Sequence, residues 1–128
     1  MATTIEPPQM VTRSRMLYFI WAPEDPAAVR ALVPSALELN ESGMVYMNQY
    51  GVDEEDTSGF PAPYSLTYLG ADLAGHDAPG DGDVPGRFWT HYFNDSPPMI
   101  DYVTARGVPA TSGETVIERD GDTLTATT

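Results

Sequence analysis

Residues 64–69 (YSLTYL) alternate large apolar with small polar side chains, and an aromatic run follows at residues 87–93 (RFWTHYF). Period-2 patterning in residues of high β-propensity predicts two strands. Alternation assigns the side chains of the second strand to two faces: Arg87, Trp89, His91 and Phe93 on one, and Phe88, Thr90 and Tyr92 on the other. Arginine and histidine among aromatic residues predict a strand that lines a pocket or a buried interface. Residues 70–86 hold five glycines, two prolines and four aspartates, which predicts a long acidic loop between the strands.

Short apolar runs predict three further strands. These are residues 15–21, 37–39 and 44–50. Near the end of the sequence, residues 113–119 and 123–127 flank Asp120-Gly121-Asp122, whose Asp-Gly pair is a strong signal for a β-hairpin. The 12 prolines and 11 glycines of the chain likewise predict many short elements rather than long helices.

Two short helices are predicted among these strands. The clearer one lies within residues 23–34, where Asp25 is the expected N-cap, Pro26 occupies the first turn and Pro34 ends the helix. The second spans residues 99–105 and ends before a glycine. We expect residues 1–12 to form a flexible N-terminal arm and residues 13–128 to form one domain, since 128 residues is a typical single-domain length.

The net charge of −13 excludes some partners. Nucleic acids and anionic membranes are bound through a basic surface, so we expect neither. No apolar run approaches the roughly 20 residues of a membrane-spanning helix, and we expect a cytoplasmic protein. The chain has no cysteine, and all six of its cationic side chains are arginines, so it contains no lysine.

Few residues suggest chemistry on their own. The acidic loop carries one histidine and four aspartates but lacks the alternation of a calcium loop, so we expect no metal site. His91 is the better candidate, because histidine is easily tuned for proton transfer near neutral pH, although a strand histidine is more often structural. Arg15 and Arg87 could each clamp a carboxylate, and for Arg87 an ion pair with an acidic side chain of the chain is favoured.

Several segments of residues 13–128 carry a family resemblance. The most specific is Val33-Pro34-Ser35-Ala36-Leu37-Glu38. The others, in order, are Arg15, Tyr18-Phe19-Ile20, the helix from Asp25, Val45-Tyr46-Met47, Ser58-Gly59, Tyr92-Phe93-Asn94-Asp95, Gly107-Val108-Pro109 and Leu124-Thr125-Ala126-Thr127. With these segments the chain resembles the acetoacetate decarboxylase superfamily. The resemblance implies a mainly β (α+β) fold: a curved antiparallel sheet, or cone-like β-barrel, with a few short helices.

The resemblance also implies chemistry that this chain cannot perform unaided. Decarboxylases of this family use a lysine that forms a Schiff base with the substrate, and the surroundings of this lysine lower its pKa. The corresponding position falls near Thr104 and Ala105, and two family carboxylates fall near Asn48 and Thr57, whereas the family arginine is matched by Arg15. Family domains are also longer. We therefore expect the chain to supply the N-terminal part of a barrel that a second chain, or another copy, completes, unless the fold is reduced.

We thus expect a cofactor-independent enzyme of the lyase, dehydratase or cyclase type, acting in secondary metabolism on a small keto acid or polyketide-like substrate by acid/base chemistry. Arg15 would hold an anionic or carbonyl oxygen, and His91 or Glu114 would transfer a proton. The expected substrate-binding residues are Asn48 and Tyr50, as hydrogen-bonding groups, and Trp89 and Tyr92, as cavity walls. The alternative is a non-catalytic binding subunit, or one half of a two-chain enzyme whose reactive lysine lies on the partner.

Overall fold

A five-stranded sheet organises the chain in a computed structural model that describes residues 13–53, 63–80 and 84–128. The predicted arm at residues 1–12 lies outside the described residues. The elements are β1 (Arg15–Trp21), α1 (Pro26–Leu32), β2 (Val45–Val52), β3 (Tyr64–Asp72), β4 (Arg87–Asn94), α2 (Pro97–Thr104), β5 (Ala110–Ser112), β6 (Val116–Asp120) and β7 (Thr123–Thr127). The sheet order is β1-β2-β3-β4-β5, with only β5 parallel to its neighbour, and β6-β7 form a separate hairpin. The protein is therefore mainly β, and its curved sheet is not closed within the described residues.

The strand register divides the sheet into two faces. One face, called the aromatic face here, carries Tyr18, Tyr46, Asn48, Tyr50, Tyr64, Tyr68, Trp89 and Tyr92. Helix α2 packs on this face and adds Val103 to a buried core that includes Leu66 and Tyr92. The opposite face, called the reverse face, packs Val45 and Ala71 against residues of and around α1. Each face thus has its own small core.

Hydroxyl groups connect the hairpin to the reverse face. Thr67 lies in β3 and its Oγ1 is 2.7 Å from Oγ1 of Thr115 and 2.6 Å from Oγ1 of Thr128. Gln49 in β2 donates from Nε2 to Thr128 Oγ1 at 3.1 Å. Because Gln49, Thr67 and Thr115 are all buried, these bonds satisfy polar groups that would otherwise be costly in the interior. These hydrogen bonds attach the base of the hairpin to the reverse face of the sheet.

A β-bulge in β4 changes the predicted distribution of its side chains. Leu69 pairs with His91 and Gly70 pairs with Trp89, so Thr90 has no partner residue across the ladder. The extra residue reverses the alternation, as expected for a bulge. Trp89 consequently shares the aromatic face with Tyr92, while His91 lies on the reverse face. The sequence-based assignment of Trp89 and His91 to one face is therefore wrong.

Gly70 makes the close packing at this bulge sterically feasible. A Cβ atom on Gly70 would overlap the carbonyl oxygen of Phe88 and lie 2.5 Å from Oη of Tyr46. No side chain larger than hydrogen fits there without movement of β4. Gly70 also belongs to β3, whereas the sequence pattern predicts that the acidic loop begins at this residue.

The remaining predictions are mostly confirmed. Asp25 caps α1 by accepting hydrogen bonds from the amides of Ala27 and Ala28 at 3.0 and 3.1 Å. Helix α2 and the β6-β7 hairpin form where the sequence predicts them. The prediction of a strand at residues 37–39 is wrong. Leu39 makes a single bridge to Leu73, because the chain turns after α1 before a ladder can extend. The three-residue β5 escapes prediction because it is too short to show a period.

Candidate functional site

A cavity of about 320 Å³ lies on the aromatic face, and we call it the aromatic cavity. Strands β2, β3 and β4 supply its aromatic floor, and α2 with the turn after it supplies one wall. The lining residues are Tyr50, Tyr64, Leu66, Tyr68, Trp89, Tyr92, Met99, Tyr102, Val103, Arg106 and Val108. Three of the four predicted substrate-binding residues, Tyr50, Trp89 and Tyr92, therefore meet in one cavity. Its size is at the lower end of typical small-molecule sites.

The rings in this cavity form a continuous cluster. The centroid of Trp89 lies 5.2 Å from that of Tyr68 and 5.4 Å from that of Tyr92, with tilted planes. Tyr50 makes edge contacts with Tyr64 at 6.2 Å and with Tyr68 at 6.5 Å. Such spacings are those at which aromatic pairs attract each other. The cluster fixes the positions of the rings that form the cavity floor.

Burial holds the hydroxyl groups of Tyr50, Tyr64 and Tyr92 in their neutral form. Burial raises the pKa of Tyr92 to about 12, and nearby Tyr64 adds to the effect. Burial also raises the pKa of Tyr50 and that of Tyr64, and the hydroxyl groups of these two residues hydrogen-bond to each other. A neutral hydroxyl can donate a hydrogen bond to a carbonyl or enolate oxygen. The cavity is thus suited to a ligand that carries such an oxygen.

Asn48, the fourth predicted binding residue, lies beside the cavity rather than in its lining. Its side chain is buried on the aromatic face and donates from Nδ2 to Tyr68 Oη at 2.8 Å. Its Oδ1 accepts no hydrogen bond from any residue that the structure describes. Asn48 therefore acts on the cavity through Tyr68, whose ring it positions.

Arg106 is a site residue that the sequence reasoning missed. It follows α2, and its guanidinium carbon lies 3.6 Å from the ring centroid of Tyr102 while Nη1 donates to the Tyr102 carbonyl oxygen at 2.9 Å. The spacing of four residues after an aromatic residue in a predicted helix is the signal that could have indicated this stacking. Among the cavity-lining residues that are described, Arg106 is the one charged side chain.

Arg15 and Glu114 line a different cavity of about 260 Å³, which we call the polar cavity. Arg15 binds the Asp53 carboxylate through Nε at 3.0 Å and Nη2 at 2.7 Å, and donates from Nη1 to the carbonyl oxygen of Ile117 at 3.0 Å. The hydrogen bond to Asp53 raises the pKa of Arg15. Tyr64 lines both the polar and the aromatic cavity. The predicted carboxylate clamp thus already holds a carboxylate of its own chain.

His91 lies apart from both of these cavities. It lines an apolar cavity of about 200 Å³ together with residues such as Trp21 and Leu32. Its Nδ1 is 3.0 Å from Oγ1 of Thr90, and its ring stacks on Phe93 with centroids 6.3 Å apart. The structure therefore brings Arg15 together with Glu114 but does not bring His91 to either of them.

The other candidates from the sequence have simpler environments. Arg87 pairs with Asp72 at 3.0 Å, as favoured, and lies over the ring of Tyr46 at 4.6 Å. The predicted loop cluster is only partly described, because Asp81 and Asp83 lie outside the described residues. In the part of the chain that is described, no three histidine or acidic side chains are grouped so that they could hold a metal ion.

Solved structures of enzymes share this arrangement of strands and helices. An acetoacetate decarboxylase-like enzyme from Sphingomonas wittichii RW1 superposes with a TM-score of 0.59 at 21% identity, over 84% of this chain and 42% of that chain. The enduracididine biosynthesis enzyme MppR, with HEPES buffer bound, superposes with a TM-score of 0.59 at 14% identity, over 83% of this chain and 40% of that chain. The chain has an acetoacetate decarboxylase-like fold. The resemblance inferred from the sequence is thereby confirmed at the level of the fold.

A second MppR structure, complexed with the condensation product of pyruvate and imidazole 4-carboxaldehyde, matches at a TM-score of 0.58 and 13% identity over 83% of this chain. The chain spans about two fifths of the length of these acetoacetate decarboxylase-like structures. No protein-family model and no curated protein sequence matches it. Both helices in the described ranges, at 7 and 8 residues, are too short to cross a membrane.

Proposed function

We propose that the chain supplies the substrate-binding part of an acetoacetate decarboxylase-like enzyme that acts on a small keto acid or polyketide-like compound. The substrate binds in the aromatic cavity, and the reaction is acid/base chemistry of the lyase, dehydratase or cyclase type. Because the chain contains no lysine, no side chain of its own forms a Schiff base. No cofactor is required by this proposal.

The observation that carries the proposal is the convergence of Tyr50, Trp89 and Tyr92 on one cavity in a fold that solved enzymes share. Neutral hydroxyl groups donate hydrogen bonds to a carbonyl oxygen and stabilise the enolate that forms when a neighbouring C–H loses its proton. The described residues of the aromatic cavity supply these donors but include no carboxylate or histidine to accept the proton.

Of the two candidate proton-transfer residues, Glu114 is better placed than His91. The polar cavity that Glu114 lines shares Tyr64 with the aromatic cavity, and Tyr64 is hydrogen-bonded to Tyr50. His91 lies on the reverse face within the sheet, so that the sheet separates its side chain from the aromatic rings. Residues of the polar cavity such as Arg15 and Ser65 are also on that face by register, but they lie at the end of the sheet, where Tyr64 joins the two cavities. Arg15 keeps its proposed role beside Glu114, where it orients an oxygen of the substrate once Asp53 is displaced or shared.

Exchange of substrate protons with deuterated water provides a direct test. The protein is incubated with pyruvate, acetoacetate and a triketide acid, and loss of the C–H signals adjacent to the carbonyl is followed by NMR. We expect exchange above the uncatalysed rate for at least one compound. Tyr92→Phe should slow it about tenfold or more, and Glu114→Gln should slow it more than His91→Gln does. Equal rates in wild type and Tyr92→Phe would contradict the proposal.

The exposed edge of the sheet favours the alternative of a two-chain enzyme. Among the described strands, β1 pairs with β2 alone. Its large apolar side chains are about half exposed: Met16 51%, Tyr18 40%, Phe19 46%, Ile20 50% and Trp21 40%. An unpaired apolar edge strand is a template for another strand. The native mass of the protein purified from its source, with every accompanying chain identified, tests this alternative. A stoichiometric second chain that forms a borohydride-trapped adduct with a keto acid would support it.

A further inference from the structure

Unlike Arg15 and Arg87, Arg106 has no acidic partner among the described residues. Arg15 and Arg87 are each paired with an aspartate. Arg106 has no carboxylate within ion-pairing distance among the described residues, although the chain carries 19 acidic side chains. A guanidinium has five N–H donors, and the one that Arg106 uses here goes to the Tyr102 carbonyl oxygen. Most of its donors are therefore open to a ligand.

The position of the Arg106 guanidinium is fixed as well as charged. Stacking on Tyr102 at 3.6 Å and the hydrogen bond from Nη1 hold the planar group at the edge of the aromatic cavity. A planar guanidinium held in place binds a carboxylate through two parallel hydrogen bonds, and little side-chain freedom remains to be lost on binding.

The cavity floor restricts the rest of the ligand. The rings of Tyr68, Trp89 and Tyr92 lie side by side with centroid spacings of 5.2 and 5.4 Å, and such a surface favours a flat unsaturated group over a saturated one. A volume of about 320 Å³ corresponds to roughly ten water molecules in the liquid. Pyruvate, which has fewer non-hydrogen atoms, would leave part of this space unfilled.

We propose that the aromatic cavity binds a planar, conjugated or aromatic monocarboxylate of about ten non-hydrogen atoms, with its carboxylate on Arg106 and its unsaturated body against Trp89. This inference rests on the proposed function and narrows its substrate class. A carbonyl group between the carboxylate and the ring system would lie against the tyrosine hydroxyl groups. The class therefore includes aryl-substituted keto acids and enoic acids.

Calorimetric titration with four matched probes tests the proposal. Cinnamate has the charge, shape and unsaturation that the cavity requires; cinnamamide lacks the charge, 3-cyclohexylpropanoate lacks the flat body, and pyruvate lacks the size. We expect cinnamate to bind at least tenfold more tightly than each of the others. The two indole N–H signals of the protein, assigned with Trp21→Phe, should show that cinnamate shifts the signal of Trp89.

Substitution of Arg106 separates a carboxylate contact from a structural effect. Arg106→Gln should weaken cinnamate binding about 10- to 100-fold and leave cinnamamide binding unchanged, and Arg106→Lys should give an intermediate loss. Arg119→Gln removes an exposed arginine outside the cavity lining, and it should leave the affinities for cinnamate and cinnamamide unchanged. Unchanged cinnamate binding by Arg106→Gln, or equal binding of cinnamate and 3-cyclohexylpropanoate, would overturn the inference.

The outcomes also distinguish this inference from the proposed function. If the small keto acids bind or exchange protons in a Tyr92-dependent manner while cinnamate shows no preference, the proposed function stands and the present inference is wrong. If no carbonyl acid shifts the Trp89 signal, both are wrong.

Discussion

Replacing Gly70 with alanine is expected to lower the free energy of unfolding by about 1–3 kcal/mol. The added Cβ would overlap the Phe88 carbonyl oxygen and approach Tyr46 Oη to 2.5 Å and Tyr46 Cζ to 2.8 Å. Tyr46 is 1% exposed and cannot swing into solvent, so β4 must move away from β3 at the bulge. In urea, where domains of this size lose roughly 1–3 kcal/mol per molar, a loss of about 2 kcal/mol lowers the unfolding midpoint by about 1 M.

Gly51 provides the matched control, because it also lies in an interior strand of the same sheet. A Cβ on Gly51 meets only the Arg15 Nη2 atom at 3.8 Å, which is ordinary contact with a flexible side chain. Gly51→Ala should therefore stabilise the protein by about 0.4–1 kcal/mol through the unfolded chain. Equal urea midpoints for the two variants would refute the steric argument. Gly70→Ala should in addition change Trp89 fluorescence, since Trp89 pairs with Gly70 across the ladder.

Three further predictions concern stability. Asp25→Ala removes the cap of α1 and should cost about 1 kcal/mol in urea unfolding, whereas Asp25→Asn should retain most of the stability. Arg87→Gln breaks the pair with Asp72 and the stacking on Tyr46, so we expect a loss of about 1–3 kcal/mol, while Arg119→Gln should cost less than about 0.5 kcal/mol. The folded-state pKa of Tyr92, raised to about 12 by burial, lies above the unfolded value near 10. The contribution of Tyr92 to the free energy of unfolding should therefore be fully present below about pH 10 and be lost as the pH rises toward 12. In thermal unfolding, the fall in melting temperature over this pH range should be smaller for Tyr92→Phe than for the wild type.

Most of the strands and helices could be predicted because they carry a local signal, which the three-residue β5 lacks. Period-2 alternation located β3, the Asp25 cap and Pro26 located α1, and the Asp-Gly pair located the hairpin. The Val-Pro-x-x-Leu-Glu segment, together with the order of the others, was enough to predict the acetoacetate decarboxylase-like fold at identities of 13–21% to the solved structures.

Site geometry could be predicted only in part, since it depends on contacts between distant segments. The bulge at Thr90 lies where Tyr46 packs over Gly70, and it has no counterpart in the periodicity of β4. A single extra residue placed Trp89 and His91 on opposite faces, which separated the predicted proton-transfer residue from the predicted cavity wall. Arg106 was overlooked because its role follows from where α2 packs, and nothing in residues 97–106 alone specifies that position.

The bulge also determines which residues could act together in the proposed reaction. Side chains on opposite faces of a sheet point away from each other, so a substrate held against Trp89 and Tyr92 cannot contact His91 of the same chain. Arg15 and Glu114 line a cavity at the end of the sheet rather than over its middle. Arg15 itself lies on the reverse face by register, but this cavity shares Tyr64 with the aromatic cavity, and the Tyr64 hydroxyl is bonded to that of Tyr50. In the proposed reaction, Glu114 would be the proton acceptor and Tyr50 and Tyr92 the hydrogen-bond donors. For this reason, the comparison of Glu114→Gln with His91→Gln is the most informative kinetic experiment: a larger effect at His91 would require a group from another chain to complete the site.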